Sequence, residues 1–264
     1  MFELEFMRLA AVAGVAAAVT LSVLGVYVVL KRVVFVGLTL ANLATFGAAM
    51  ALVFGGPVHV SALVASLIGA AVLALFTSPR RLPAESLIGW GFAAAAGGTV
   101  IALSRASADS DAMRLLYGNV LAISREEAII LSLIAVVVLV VHVLFARRFV
   151  LLVFDPEAAR AAGVRTRAWS LLLHLTIGAA AAAAVHEAGA LLTFAFLLLP
   201  PMAALLLTNR LAPAFAVSAA IAALAALVGL VLSFKLDLPT GPFTVVLLAA
   251  IVPLAAVVGF LRRR

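Results

Sequence analysis

The chain contains no cysteine in its 264 residues, which excludes disulfides and thiolate-held metal. Charge is also scarce. Only 11% of residues are Asp, Glu, Lys or Arg while 67% are hydrophobic, too little charge to cover a water-soluble surface of this size. The apolar runs show no strand-like alternation, which excludes a β-barrel, and each is about the 20 residues a helix needs to cross a bilayer. There is no Gly-x-x-x-x-Gly-Lys-[Ser/Thr] loop to cradle a nucleotide. No long hydrophilic stretch flanks the apolar runs, so residues 1–264 are expected to form one transmembrane domain, all-α, with eight or nine spans.

The apolar runs divide at short polar or Gly/Pro breaks. The first span ends at Lys31-Arg32 and is read as a span, not a signal peptide, because Glu3 and Glu5 precede it without a clear cleavage site. The second runs from Val33 to Phe54 and turns at Gly55-Gly56-Pro57; the third covers Val58 to Thr77 and the fourth Ser86 to Ser104. A half-length run, Ala112 to Ile123, is too short to cross. The fifth to ninth spans are expected at 127–146, 168–185, 188–208, 212–234 and 243–261. Small residues crowd Ala93 to Gly98, Gly178 to Ala184 and Ala219 to Ala226. Small side chains let helix backbones approach closely in lipid, so these runs are expected at helix contacts.

The net charge of +7 follows this layout and does not signal nucleic acid. With Lys31-Arg32 placed in the cytoplasm, 13 of the 18 basic residues fall on that side with three acids, Glu85, Asp155 and Glu157. The other side holds 5 basic and 8 acidic residues. This positive-inside bias puts the carboxyl terminus in the cytoplasm of a multi-pass protein of the inner (plasma) membrane.

Between the fifth and sixth spans lies Asp155-Pro-Glu157-Ala158-Ala159-Arg-Ala-Ala-Gly163, collared by Arg147, Arg148, Arg165 and Arg167. Acids at its start suit the positive end of a helix dipole, and Gly163 suits the helix end. A short capped helix held in water by a membrane protein is a docking element for a soluble partner. The alternative is a basic loop lying on anionic lipid.

Thr39, Asn42 and Thr45 form a polar stripe on the second span and are expected to line a path; the alternative is hydrogen bonding between helices. His186 and Glu187 stand together in an Ala-rich stretch and are candidate metal ligands. The alternative is a solvated turn between two spans. Ala190 occupies the position a His-Glu-x-x-His hydrolase needs for its second histidine. His142 and His174 lie singly within spans and His59 in an outer turn, where a hydrogen-bonded imidazole is the expected state.

Five segments in order resemble the ABC-transporter permeases for zinc and manganese import. They are Gly25 to Arg32 with Phe35-Val-Gly37, Leu115 to Glu127 (similar to "LLFGxLLAVxxxDL"), Phe154 to Val164, Gly189 to Pro201, and Leu236 to Pro242. The resemblance implies the permease fold of the metal and cobalamin importers, with residues 155–164 as the coupling helix. It implies a pore of two copies of this chain, a cytoplasmic ABC ATPase dimer and an extracytoplasmic substrate-binding protein. ATP and Mg would then act on the ATPase, with no cofactor on this chain and no enzymatic activity of its own. The family's second helix carries "F-x-G-D-x-x-x-H", an Asp and a His on one face. Here Leu38 and Asn42 occupy those positions. Leucine cannot ligate a metal and the asparagine carbonyl is a poor zinc ligand. Divalent metal import is therefore expected through a changed site. The alternatives are a non-metal small solute, or a scaffold or sensor that moves nothing.

Overall fold

A computed structural model describes residues 5–76, 84–105 and 123–262. Residues 77–83 between the third and fourth expected spans, residues 112–122 of the half-length run, and Arg263 and Arg264 lie outside the described residues. So does most of the segment resembling "LLFGxLLAVxxxDL". The helices are α1 (Glu5–Leu30), α2 (Phe35–Phe54), α3 (Val58–Phe76), α4 (Ala84–Leu103), α5 (Arg125–Leu144), α6 (Ala146–Phe154), α7 (Pro156–Ala161), α8 (Thr166–Leu207), α9 (Leu211–Leu236) and α10 (Thr240–Arg262). Among the described residues there is no strand, and eight helices are long and apolar enough to cross a membrane. The all-α bundle expected from the sequence is the one observed.

The longest helix, α8, has 42 residues. Straight, it would extend about 63 Å, roughly twice the thickness of a bilayer core. It is broken at Gly189, whose φ of 76° and ψ of 162° are not helical. The partners of its two halves show a reversal. Ser66 on α3 donates to the carbonyls of Leu40 on α2 (3.3 Å) and Gly178 on α8 (2.9 Å). One turn away on α2, Gly37 lies against the side chain of Leu197. Residues 178 and 197 would sit about 28 Å apart in a straight helix. Ser66 brings Gly178 to the level of Leu40, and Leu197 lies against Gly37 one turn away, so α8 folds back on itself and makes two passes through the bundle. The sixth and seventh expected spans are thus the two halves of one broken helix. Ala188 and Ala190, flanking the break, are buried.

This hairpin is the centre of the bundle, with α1, α2, α3, α9 and α10 packed around it. Its small residues permit that crowding: Ala180, Ala181, Ala182 and Ala184 are all buried. The small run on α4 is different, because Ala93, Ala94 and Gly97 are exposed on the single chain. Ser66, fully buried, ties α2, α3 and the first half of α8 together. Ser66→Ala is expected to cost about 1 kcal/mol, read as a small fall in the thermal midpoint of the detergent-solubilised chain.

One end of the bundle gathers Lys31, Arg32, Arg147, Arg148, Arg160, Arg165, Arg167 and Arg210, all between or at the ends of long helices. The opposite end holds the turn at 55–57, the start of α5 with Glu126 and Glu127, and the α8 reversal.

Candidate functional site

At the basic end the chain leaves α5 at Phe145 (φ −109°, ψ 19°) and enters α6, a helix additional to those expected. Its pattern is amphipathic: Phe149, Leu152 and Val153 are buried, while Arg147 and Arg148 face out. Phe149 stacks on His142 (4.4 Å between ring centres, 8° apart) and meets Trp169 edge-on at 5.4 Å. The Arg148 guanidinium lies 4.9 Å from the Trp169 ring. Cation–π contact of this kind fixes the arginine beside the docking segment. Lys31 leans into the same end of α8, donating to Ser170 Oγ at 3.3 Å, and burial pushes its ammonium pKa below the ordinary value.

The docking segment folds as the sequence indicates. Asp155 caps α7, one carboxylate oxygen accepting from the backbone N–H groups of Glu157 (3.0 Å) and Ala158 (2.8 Å). Pro156 occupies the first turn, where its missing N–H costs no bond. Gly163 takes a left-handed φ of 77° after the helix, a conformation that costs a glycine little. Ala159 is fully buried and anchors the segment, while Glu157, Arg160, Ala161, Ala162 and Gly163 are exposed. Asp155 and Gly163 at its ends, with Pro156 and Ala159 within it, therefore hold a six-residue helix that is too short to persist alone.

On α2 the three residues of the polar stripe have different surroundings. Thr39 is fully buried and donates to the Ile88 carbonyl of α4 at 3.0 Å; buried Thr45 donates to Ala41 at 3.0 Å. The Thr39 hydroxyl joins α2 to α4, while the Thr45 hydroxyl bonds within its own helix. Steps of three residues turn about 300° around a helix, so positions 39 and 45 lie about 120° apart. Steps of four stay closer together, and Leu38 and Asn42 share the half-exposed face of α2, where the Asn42 amide donates to the Leu38 carbonyl at 2.9 Å.

At the opposite end, His186 and Glu187 are not a solvated turn but part of the helix before the Gly189 break, and Glu187 is buried. They point differently. The Nε2 of His186 lies 3.8 Å from Glu127 Oε1, and the Nε2 of His59 lies 3.3 Å from the same oxygen. The imidazoles meet edge-on, 4.1 Å between centres. One ligand atom from each of His59, Glu127 and His186 falls within 4.8 Å of the others. Glu187 is not in that triad, though it lines the cleft beneath it with Leu63, Ile130 and Ala183. The carboxylate that His186 faces is that of Glu127, which the sequence reading did not single out. The signal for Glu127 was present as Ser124-x-x-Glu127, a capping box: Ser124 N–H donates to Glu127 Oε2 (2.7 Å), and Glu127 N–H to Ser124 Oγ (3.2 Å). His142 and His174 each sit against a carbonyl of their own helix, Val138 at 3.1 Å and Ser170 at 2.7 Å.

Eight helices long and apolar enough to cross a membrane, with a short exposed helix at the basic end, are the architecture of a polytopic membrane protein. A family model, the ABC 3 transport family, matches residues 3–259, and the chain belongs to that family. It is 28% identical over 252 residues to the manganese transport system membrane protein MntC of Halalkalibacterium halodurans, covering 95% of this chain and 86% of that one. It is 26% identical over 248 residues to the chelated iron transport system membrane protein YfeD of Yersinia pestis, covering 94% and 84%. In fold it resembles PsaBC from Streptococcus pneumoniae, solved with a Fab, with a TM-score of 0.86, 20% identity, and 96% and 91% coverage.

Proposed function

We propose that this chain is the permease subunit of an ATP-driven importer of divalent metal ions of the manganese or zinc class. The observation that carries the reading is end-to-end similarity to membrane proteins named for manganese transport, at 25–28% identity over 90–99% of this chain. In this reading two copies form the pore, and a cytoplasmic ABC ATPase dimer grips residues 155–164 as coupling helices. ATP and Mg are bound and hydrolysed on that partner, and this chain catalyses nothing. The basic end faces the cytoplasm with the carboxyl terminus, in keeping with positive-inside charge. The opposite end receives the ion from a substrate-binding protein. ATP-driven closure of the ATPases moves α7, α6 follows through Phe149, and access switches between the two faces.

Leu38 and Asn42 give a second reading its motive. They leave the half-exposed face of α2 uncharged, which offers no compensation for stripping water from a dication. A non-metal solute, or a subunit that senses and does not transport, fits that face. Radiolabelled manganese or zinc uptake into vesicles holding the complete complex decides. ATP-dependent accumulation of either ion is the expected result, and its absence with both would move the assignment to the second reading.

A further inference from the structure

We propose that His59, Glu127 and His186 bind a divalent transition-metal ion that clasps α3, α5 and α8 together at the end of the bundle opposite the basic one. The three residues come from three separate helices, and their ligand atoms converge within 4.8 Å. In a tetrahedral site with metal–ligand bonds of about 2.1 Å, neighbouring ligand atoms sit about 3.4 Å apart. The His59–Glu127 and His186–Glu127 distances, 3.3 and 3.8 Å, lie around that value. Two imidazoles and one carboxylate are a donor set suited to zinc, manganese or ferrous iron, and a poor one for calcium or magnesium.

Two further observations distinguish this from a chance meeting of polar groups. The Glu127 carboxylate is already oriented, with Oε2 held by the Ser124 N–H while Oε1 faces both imidazoles. Holding one oxygen so that the other is presented is the support that metal-ligating side chains receive from their surroundings. Secondly, α3 and α5 scarcely touch each other along their lengths. A cleft of about 210 Å³ lies between them, floored by Ala182 and Ala183 of α8. His59 and Glu127 are among its lining residues, and His59 is more than half exposed, which leaves the ion a way in. A metal bond between them supplies the α3–α5 connection that packing does not.

The clasp does not depend on the import reading, because binding is measured on the purified full-length chain without an ATPase. Titration with zinc chloride and, separately, manganese chloride is followed by calorimetry, by metal content after gel filtration and by thermal midpoint. The expected result is one ion per chain and a raised midpoint. Glu127→Gln keeps the capping box, because glutamine serves there as well as glutamate. It is expected to weaken binding at least about tenfold, and His59→Ala with His186→Ala is expected to abolish both binding and the midpoint shift. Asn42→Ala is expected to change neither. Spin labels on α3 and α5 are expected to draw together on adding metal to the wild type and not to the double variant. No bound ion in the wild type, or equal binding by the double variant, overturns the clasp. Uptake by the assembled complex could still succeed in that case, so the two proposals fail separately.

Discussion

Gly189→Val is expected to lower the yield of folded permease severely, and Gly189→Ala to lower its thermal midpoint by several degrees. The reason is backbone geometry. At φ 76° and ψ 162° the residue occupies a region open in practice to glycine alone. A Cβ there costs about 1–3 kcal/mol, and a β-branched side chain costs more. Few positions matter as much to this fold, because the reversal at Gly189 places both halves of α8 in the centre. Gly178, through Ser66, and Leu197, directly, come to the same level of α2 only if the helix turns back between them. The second half is fastened at once after the turn, with Thr193 Oγ1 donating to the Gly189 carbonyl at 2.8 Å. Fluorescence-detected gel filtration of both variants, with Gly163→Ala as a positive-φ glycine in the exposed docking segment, makes the measurement. An unchanged midpoint for Gly189→Ala would show that the turn is not made there.

Most of the spans were legible because each is a run of apolar residues about one bilayer long, closed by Lys31-Arg32, Gly55-Gly56-Pro57 or a comparable break. The α8 hairpin was legible as two spans but not as a joint. A turn buried among alanines needs no polar residue to satisfy water, so composition carried no mark beyond one glycine. The break between α5 and α6 at Phe145 has neither Gly nor Pro, and no local rule marks it. The local structure of residues 155–163 was fully legible: its cap, proline and terminal glycine act over a few residues, where sequence order and contact coincide. The meeting of two histidines with Glu127 was not. His59, Glu127 and His186 meet only when three helix ends are brought to one place, and chain order made neighbouring Glu187 the natural partner instead. On α2 a three-residue step drifts around the helix, so Thr39 and Thr45 are buried while Asn42 stays half-exposed, a difference that the spacing alone did not show.

Asp155→Ala combined with Gly163→Val is expected to uncouple the transporter while leaving the membrane bundle folded. Asp155 satisfies two otherwise unpaired N–H groups at the start of α7, and losing such a cap costs about 1 kcal/mol. A valine forced to φ 77° at position 163 costs about another 1–2 kcal/mol. A helix of six residues has no reserve against losses of 2–3 kcal/mol, so its docking-competent form becomes about 30- to 150-fold rarer. Long helices do not depend on it, because α6 is held separately by Phe149 against Trp169 and His142. The expected result is a normal gel-filtration profile for the permease, with co-purified ATPase and ATP-dependent uptake both reduced by more than tenfold. Asp155→Asn caps a helix as well as aspartate and is expected to restore both when Gly163 is kept. Glu157→Arg, which leaves the cap intact and reverses an exposed charge, tests contact apart from helix formation and is expected to weaken ATPase binding without altering the permease. If the double variant holds its ATPase as firmly as the wild type, residues 155–164 are not the point at which the energy of ATP enters this chain.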